Sequence, residues 1–88
     1  MTRRRSRVVI LLFASAREAL GRGTLDWPVS PDGVRADALV RALARTYPRL
    51  GPALRTSRFV HNGEYLHDLS TPIRPGDEFA VHPPYGGG

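Results

Sequence analysis

RADALVRALARTY, residues 35–47 of this 88-residue chain, combines the length and the periodicity of a helix. Its apolar positions are Ala36, Leu39, Val40, Leu43 and Tyr47, spaced at i, i+3, i+4, i+7 and i+11, so they share one face. Arg35, Asp37, Arg41 and Arg45 take the other side, where Asp37 is placed to pair with Arg41 one turn later. Pro48 ends the element, because a proline disfavours α geometry at the residue before it, Tyr47. A single amphipathic helix must cover an apolar surface, and the segments on either side read as the strands that supply it.

Upstream, residues 7–13 (RVVILLF) are β-branched and aliphatic without alternation. Such a run suits a central strand covered on both faces, or on one face with partial cover on the other. Residues 14–20 form a short helical turn closed by Gly21-Arg22-Gly23. Residues 24–29 alternate weakly and read as a second strand running back along the first. Pro28 places that strand at a sheet edge, and Trp27 reads as a packing residue. Ser30-Pro31-Asp32-Gly33 is turn chemistry.

Downstream, residues 50–57 read as a crossover punctuated by Gly51 and Pro52, with Leu50 and Leu54 as core anchors. Residues 57–61 are strand-like through Phe59 and Val60. Asn62-Gly63 is a strong hairpin signal, since both central residues of a type I′ turn need positive φ. Glu64, Tyr65 and Leu66 return as a short strand. Pro72 turns the chain, and Pro75-Gly76 follows in the order that a type II turn prefers. Residues 77–82 make the last strand, with Phe79 and Val81 on one face and Glu78, Ala80 and His82 on the other. The order is ββαβββ or ββαββ, an α+β class of one domain without repeats or a linker.

Composition narrows the function. A chain of this length buries about 60–65% of its unfolded surface, enough for one modest core and not for an enclosed substrate cavity as well. No apolar run reaches membrane-spanning length. The apolar stretch after the arginines is short for a signal peptide and lacks a convincing cleavage site. The chain has no cysteine, which excludes disulfides, thiolate metal sites and cysteine nucleophiles. A cytoplasmic location is the expectation. Net charge is +5, yet four of the thirteen basic residues are Arg3, Arg4, Arg5 and Arg7. Without them the body carries nine basic against eight acidic side chains, so it has no stripe for neutralising phosphates. All thirteen are arginine, which excludes lysine Schiff-base chemistry and leaves no lysine to accept an isopeptide bond.

No catalytic constellation is legible. His61, His67 and His82 have no companions at metal-ligand spacing, and His61 and His82 fall on strands as structural histidines. No serine sits in a nucleophile elbow, and Gly21-Arg22-Gly23 is too short for a phosphate loop. Asp77 and Glu78 are neighbours on a strand and point to opposite faces, so they are not an acid/base pair.

The chain then ends Pro83-Pro84-Tyr85-Gly86-Gly87-Gly88. Two prolines stiffen the exit by fixing φ, and three glycines follow without side chains. Taken alone, this is either a tail threaded into another protein, with the Gly88 carboxylate as the group delivered, or a frayed terminus.

Taken together, several signatures resemble one family: the small subunit of molybdopterin synthase, within the ubiquitin-like sulfur carriers. They are Phe13-Ala14 with Arg17-Glu18 and Gly21, then Val60-His61-Asn62-Gly63-Glu64, then Ile73-Arg74-Pro75-Gly76-Asp77-Glu78-Phe79, and last Pro83-Pro84 with the terminal glycines. The resemblance spans about residues 8–88. Tyr85 stands where the family usually has an aliphatic residue and Gly86 where it has a small one, and the arginine leader is extra.

The resemblance implies the β-grasp (ubiquitin-like) fold: a mixed four- to five-stranded sheet with one main helix packed on one face. It also divides the chain into a basic leader (residues 1–6), the β-grasp domain (7–82) and a Gly-Gly tail (83–88). The implied role is a non-catalytic sulfur-donating subunit. An E1-like adenylating enzyme would use ATP to activate the Gly88 carboxylate, and a sulfur donor protein would supply the sulfur for a thiocarboxylate. Pro83, Pro84, Tyr85, Gly86 and Gly87 would form the partner-binding tail that enters the synthase large subunit or another sulfur-accepting synthase. No bound cofactor, metal, membrane or nucleic acid is expected. The alternatives are a carrier for another pathway (thiamine, cysteine or a specialised metabolite), a ubiquitin-like protein modifier, or a pure binding module.

Overall fold

In the computed structural model, which describes residues 6–84, the chain starts with β1 (Arg7–Leu12), α1 (Ala14–Leu20), β2 (Thr24–Pro28) and β3 (Val34–Arg35). It continues through α2 (Ala36–Thr46), a 3-10 turn (Pro48–Leu50) and α3 (Gly51–Thr56), then β4 (Arg58–His61), β5 (Glu64–Tyr65), β6 (Pro72–Ile73) and β7 (Glu78–His82). Five strands form one sheet in the order β2-β1-β7-β4-β5, and β3 pairs with β6 in a small separate ladder.

The aliphatic run of β1 resolves into an alternation. Val8, Ile10 and Leu12 are buried, whereas Val9 is 43% exposed. The strand is therefore covered on one face with partial cover on the other, the second of the two expected arrangements. Ile10 sits opposite Leu25 of antiparallel β2 and opposite Phe79 of parallel β7. β7 also pairs antiparallel with β4, with Val81 opposite Phe59. The first and last strands thus lie parallel at the sheet's centre, which is possible only because the helices between them carry the chain across. β2 is an edge strand, as Pro28 requires. This is the β-grasp, ubiquitin-like arrangement.

All three helices contribute to the core on the same side. α2 inserts Ala36, Leu39 and Leu43; α1 adds Ala16; Leu50, Ala53 and Leu54 come from the segment after α2. Facing them are Val8, Ile10, Leu12, Leu25, Phe59, Phe79 and Val81 from the sheet. Val40 and Tyr47, on the predicted apolar face, are half-buried against this cluster, and Tyr47 packs beside Trp27 with ring centroids 6.4 Å apart.

Several expectations need correcting. Residues 50–57 are helical rather than an irregular crossover, although Leu50 and Leu54 are the anchors expected. Pro52 lies in the first turn of α3, where its missing N–H has no partner to lose. Asp37 takes Arg35 and not Arg41: Arg35 Nε and Nη2 donate to its two carboxylate oxygens at 3.0 and 2.9 Å. Leu66 lies outside β5, although its N–H still donates to the Phe59 carbonyl. Ala80 is buried along with Phe79 and Val81, so the last strand does not divide cleanly by face.

Candidate functional site

β7 leads directly into the tail, so its two ends set how the tail is presented. Its start is fixed by a polar knot. Arg74-Pro75-Gly76-Asp77 is the expected type II turn, with Gly76 at φ 90° and the Asp77 N–H donating to the Arg74 carbonyl at 2.9 Å. Asp77 Oδ2 accepts the Arg74 N–H at 2.8 Å and lies 2.8 Å from His61 Nε2. Asn62 Oδ1 accepts the Glu78 N–H at 2.8 Å. Asn62 (φ 49°) and Gly63 (φ 86°) are both in the left-handed region, which holds the β4–β5 hairpin against this turn. Burial pushes the Asp77 carboxyl up. Hydrogen bonds from the Arg74 N–H, His61 and Asn62 outweigh it and leave the group below its ordinary value. His61 is thus a satisfied structural histidine, and Asp77 caps a turn instead of lying on a strand face.

The other end of β7 is arranged differently. Pro83 is buried and Pro84 exposed; the predicted site residues Tyr85, Gly86, Gly87 and Gly88 lie outside the described residues. Around the exit, four side chains form a row across four strands. The Phe13 ring, just past β1, stacks on His82 with centroids 4.4 Å apart and planes 13° from parallel. His82 is directly opposite Arg58 in the β4–β7 register, and the Arg58 guanidinium lies 5.9 Å from the centre of the Tyr65 ring on β5. Ala14, immediately after Phe13, has φ 50°, a left-handed turn that starts α1 directly after the strand. Between the row and the prolines is an open cleft of about 330 Å³ lined by Thr56, Arg58, Tyr65, His82, Pro83 and Pro84. A neighbouring hollow of about 410 Å³ shares Arg58 and Tyr65 and adds Phe59, Leu66, His67 and Leu69.

The sheet face away from the helices runs up to this row. Val9 is 43% exposed, Phe13 40% and Tyr65 60%, with half-buried Leu11 and Val60 among them. Exposed apolar groups in one contiguous area on a small protein mark a contact surface. Sequence reasoning missed this face. A signal existed, because the outward positions Val9, Leu11 and Phe13 of a strand open to water on that side would ordinarily be polar.

His61 is engaged with Asp77, and His82 is stacked on Phe13. Among the described residues, no three His, Cys, Asp or Glu side chains gather as a metal site, and no helix is long and apolar enough to cross a membrane.

Comparison with known proteins fits this geometry. Residues 10–88 match the ThiS family. A molybdopterin synthase sulfur carrier subunit of Aedes aegypti is 39% identical, the match covering 93% of this chain and 89% of that protein. The protein of the same name in Dictyostelium discoideum is 34% identical, covering 90% and 93%. Among solved structures, SAMP1 from Haloferax volcanii superposes with a TM-score of 0.77 at 30% identity, over 93% of this chain and 99% of that one. A chain of the protein-protein complex of subunits 1 and 2 of the molybdopterin-converting factor from Helicobacter pylori shares the fold, with a TM-score of 0.67 at 22% identity over 93% and 99% of the two chains. The chain belongs to the ThiS family.

Proposed function

We propose, with ThiS-family membership as the premise, that this chain is a sulfur carrier and acts as the small subunit of molybdopterin synthase. The observation that carries the reading is the match, over nearly the whole chain, to proteins named molybdopterin synthase sulfur carrier subunit. The site is the carboxylate of Gly88. One of its oxygens attacks the α-phosphorus of ATP in an E1-like partner and pyrophosphate leaves, giving an acyl-adenylate. Hydrosulfide, released by a donor protein, then adds to the carbonyl carbon and AMP departs, leaving a thiocarboxylate and a proton. Activation is needed because a carboxylate oxygen is a poor leaving group until phosphorylated.

The chain's own residues bind and deliver. Glycines 86–88 carry no Cβ, so a partner can close a narrow channel around the backbone. The Pro83-Pro84 stem restricts the conformations lost when the tail docks, which lowers the ordering cost of binding. The open face with Val9, Leu11, Phe13 and Tyr65 gives the synthase large subunit an apolar surface beside the tail exit. ATP serves the partner's chemistry and is not held by this domain. A second reading, a ubiquitin-like protein modifier, is favoured by one observation, the similarity to SAMP1, one of the small archaeal modifier proteins.

Intact-mass measurement tests both. With a cognate adenylating enzyme, ATP and a sulfur source, the chain gains the mass of an oxygen-to-sulfur exchange at Gly88. No such gain overturns the carrier reading, and ladders of protein adducts favour the modifier. Deleting Gly88 abolishes the gain with the far-ultraviolet circular dichroism unchanged; a retained gain moves the site elsewhere.

A further inference from the structure

We propose that the cleft at the tail exit receives an acidic side chain, Asp or Glu, from the rim of the partner channel that takes the tail, with Arg58 as the residue that reads it. The inference deepens the carrier reading and rests on it for the identity of the partners.

Three features of the cleft support it. First, its lining of Thr56, Arg58, Tyr65, His82, Pro83 and Pro84 contains no carboxylate. Among the described residues no acidic group lies within salt-bridge distance of Arg58; the ion pairs present join Arg7 to Asp26, Arg35 to Asp37 and His61 to Asp77. Second, Arg58 is held in place. Its guanidinium lies over the Tyr65 ring, and its backbone is fixed in the ladder opposite His82. A guanidinium placed in advance has less freedom to lose when its planar fork meets a carboxylate. His82, stacked on Phe13, sets a second nitrogen-bearing side chain on the same wall.

Third, the short reach of the tail brings a partner close to the cleft. Four residues follow Pro84, and fully extended they reach about 14 Å. A partner atom that meets Gly88 is therefore within that distance of Pro84, itself part of the cleft wall. A channel mouth that takes the chain up to Pro84 meets the cleft that Pro84 shares with Arg58 and Tyr65. An apolar rim there would leave the guanidinium desolvated and unpaired, at a cost in affinity; an acidic one turns it into a charge-assisted pair at the edge of the interface. The sheet face then supplies area and the cleft supplies selection among channels that accept the same glycines.

Arg58→Glu, Arg58→Lys and the wild type are compared in two assays. One follows the sulfur mass gain against carrier concentration with the adenylating enzyme, ATP and a sulfur source; the other is calorimetric titration of the unmodified chain into the synthase large subunit. Expected for Arg58→Glu is a rise of about 10- to 100-fold in KM or Kd for at least one partner, with kcat within about twofold and part of the loss recovered by Arg58→Lys. Added salt raises the wild-type constant and lowers that of Arg58→Glu, in which two carboxylates repel. Arg58 is exposed, so melting is expected to be unchanged; if Arg58→Glu melts lower, Arg58→Gln replaces it. Unchanged constants with both partners, or a fall in kcat alone, overturn the proposal. A wild type that gains no sulfur mass, yet binds the large subunit in an Arg58-dependent way, refutes the carrier reading and upholds the cleft.

Discussion

At its Asp77 end, β7 is tied by bonds that begin and end inside the domain, while at its His82 end the neighbouring side chains face outward. The first end has a capped turn, a partly buried His61–Asp77 contact, and the Gly76 N–H donating to the Arg7 carbonyl at 2.8 Å. The second has a stacked aromatic pair, an arginine with no acidic neighbour among the described residues, and a cleft. They lie five positions apart. Polar groups placed for stability find partners within the chain, since a buried group left unpaired is expensive. Groups placed for a partner stay unpaired and tolerate it because they remain wet. The contrast separates the part of the strand that holds the fold from the part proposed to meet a partner.

The middle of the strand sets the scale. Phe79 is fully buried and stacks on Phe59 with centroids 5.4 Å apart. Phe79→Ala is expected to cost about 3–5 kcal/mol in urea denaturation, a large share of the total for a domain of this size. At the tied end, Asp77→Ala should cost about 1–3 kcal/mol, because it releases the Arg74 N–H and His61 together. That cost depends on pH. Hydrogen bonds hold the Asp77 carboxyl below its unfolded value, so its contribution is present above about pH 4. It fades as pH falls through the folded, lower value. The urea midpoints of wild type and Asp77→Ala should therefore converge in acid; a gap that widens there would assign the wrong partner to the carboxylate.

At the outward end the effects should change character. Phe13→Ala is expected to cost about 1 kcal/mol of stability or less while weakening binding to the adenylating enzyme or the large subunit. A stability loss matching that of Asp77→Ala would erase the distinction between the two ends. The smallest effect is expected from deleting residues 2–5: sulfur gain and transfer should be unchanged, and a large loss would make the arginine arm a docking element.

Local chemistry was legible where a few residues dictate geometry. The i, i+3, i+4 spacing gave α2, Asn62-Gly63 the hairpin, and Pro75-Gly76 the turn before the last strand. α3 was hidden because Gly51 and Pro52 are read as breakers, although a proline in the first turn is compatible with a six-residue helix. Asp37 was assigned to the wrong arginine because helix spacing takes no account of a fork folding back from the residue before the helix. The parallel pairing of β1 with β7 joins residues about seventy positions apart and leaves no local mark on either strand. Without that pairing the outward row of Phe13, His82, Arg58 and Tyr65 cannot be assembled from sequence, because it draws one residue from each of four segments.

That parallel pairing also governs how the domain bears load. A pull on Pro84 acts along β7, which is flanked by β1 on one side and β4 on the other. The force runs along both ladders at once, so their hydrogen bonds are sheared together and are not unzipped one at a time. A load applied at Pro84 is thereby borne by a strand with a paired neighbour on each side.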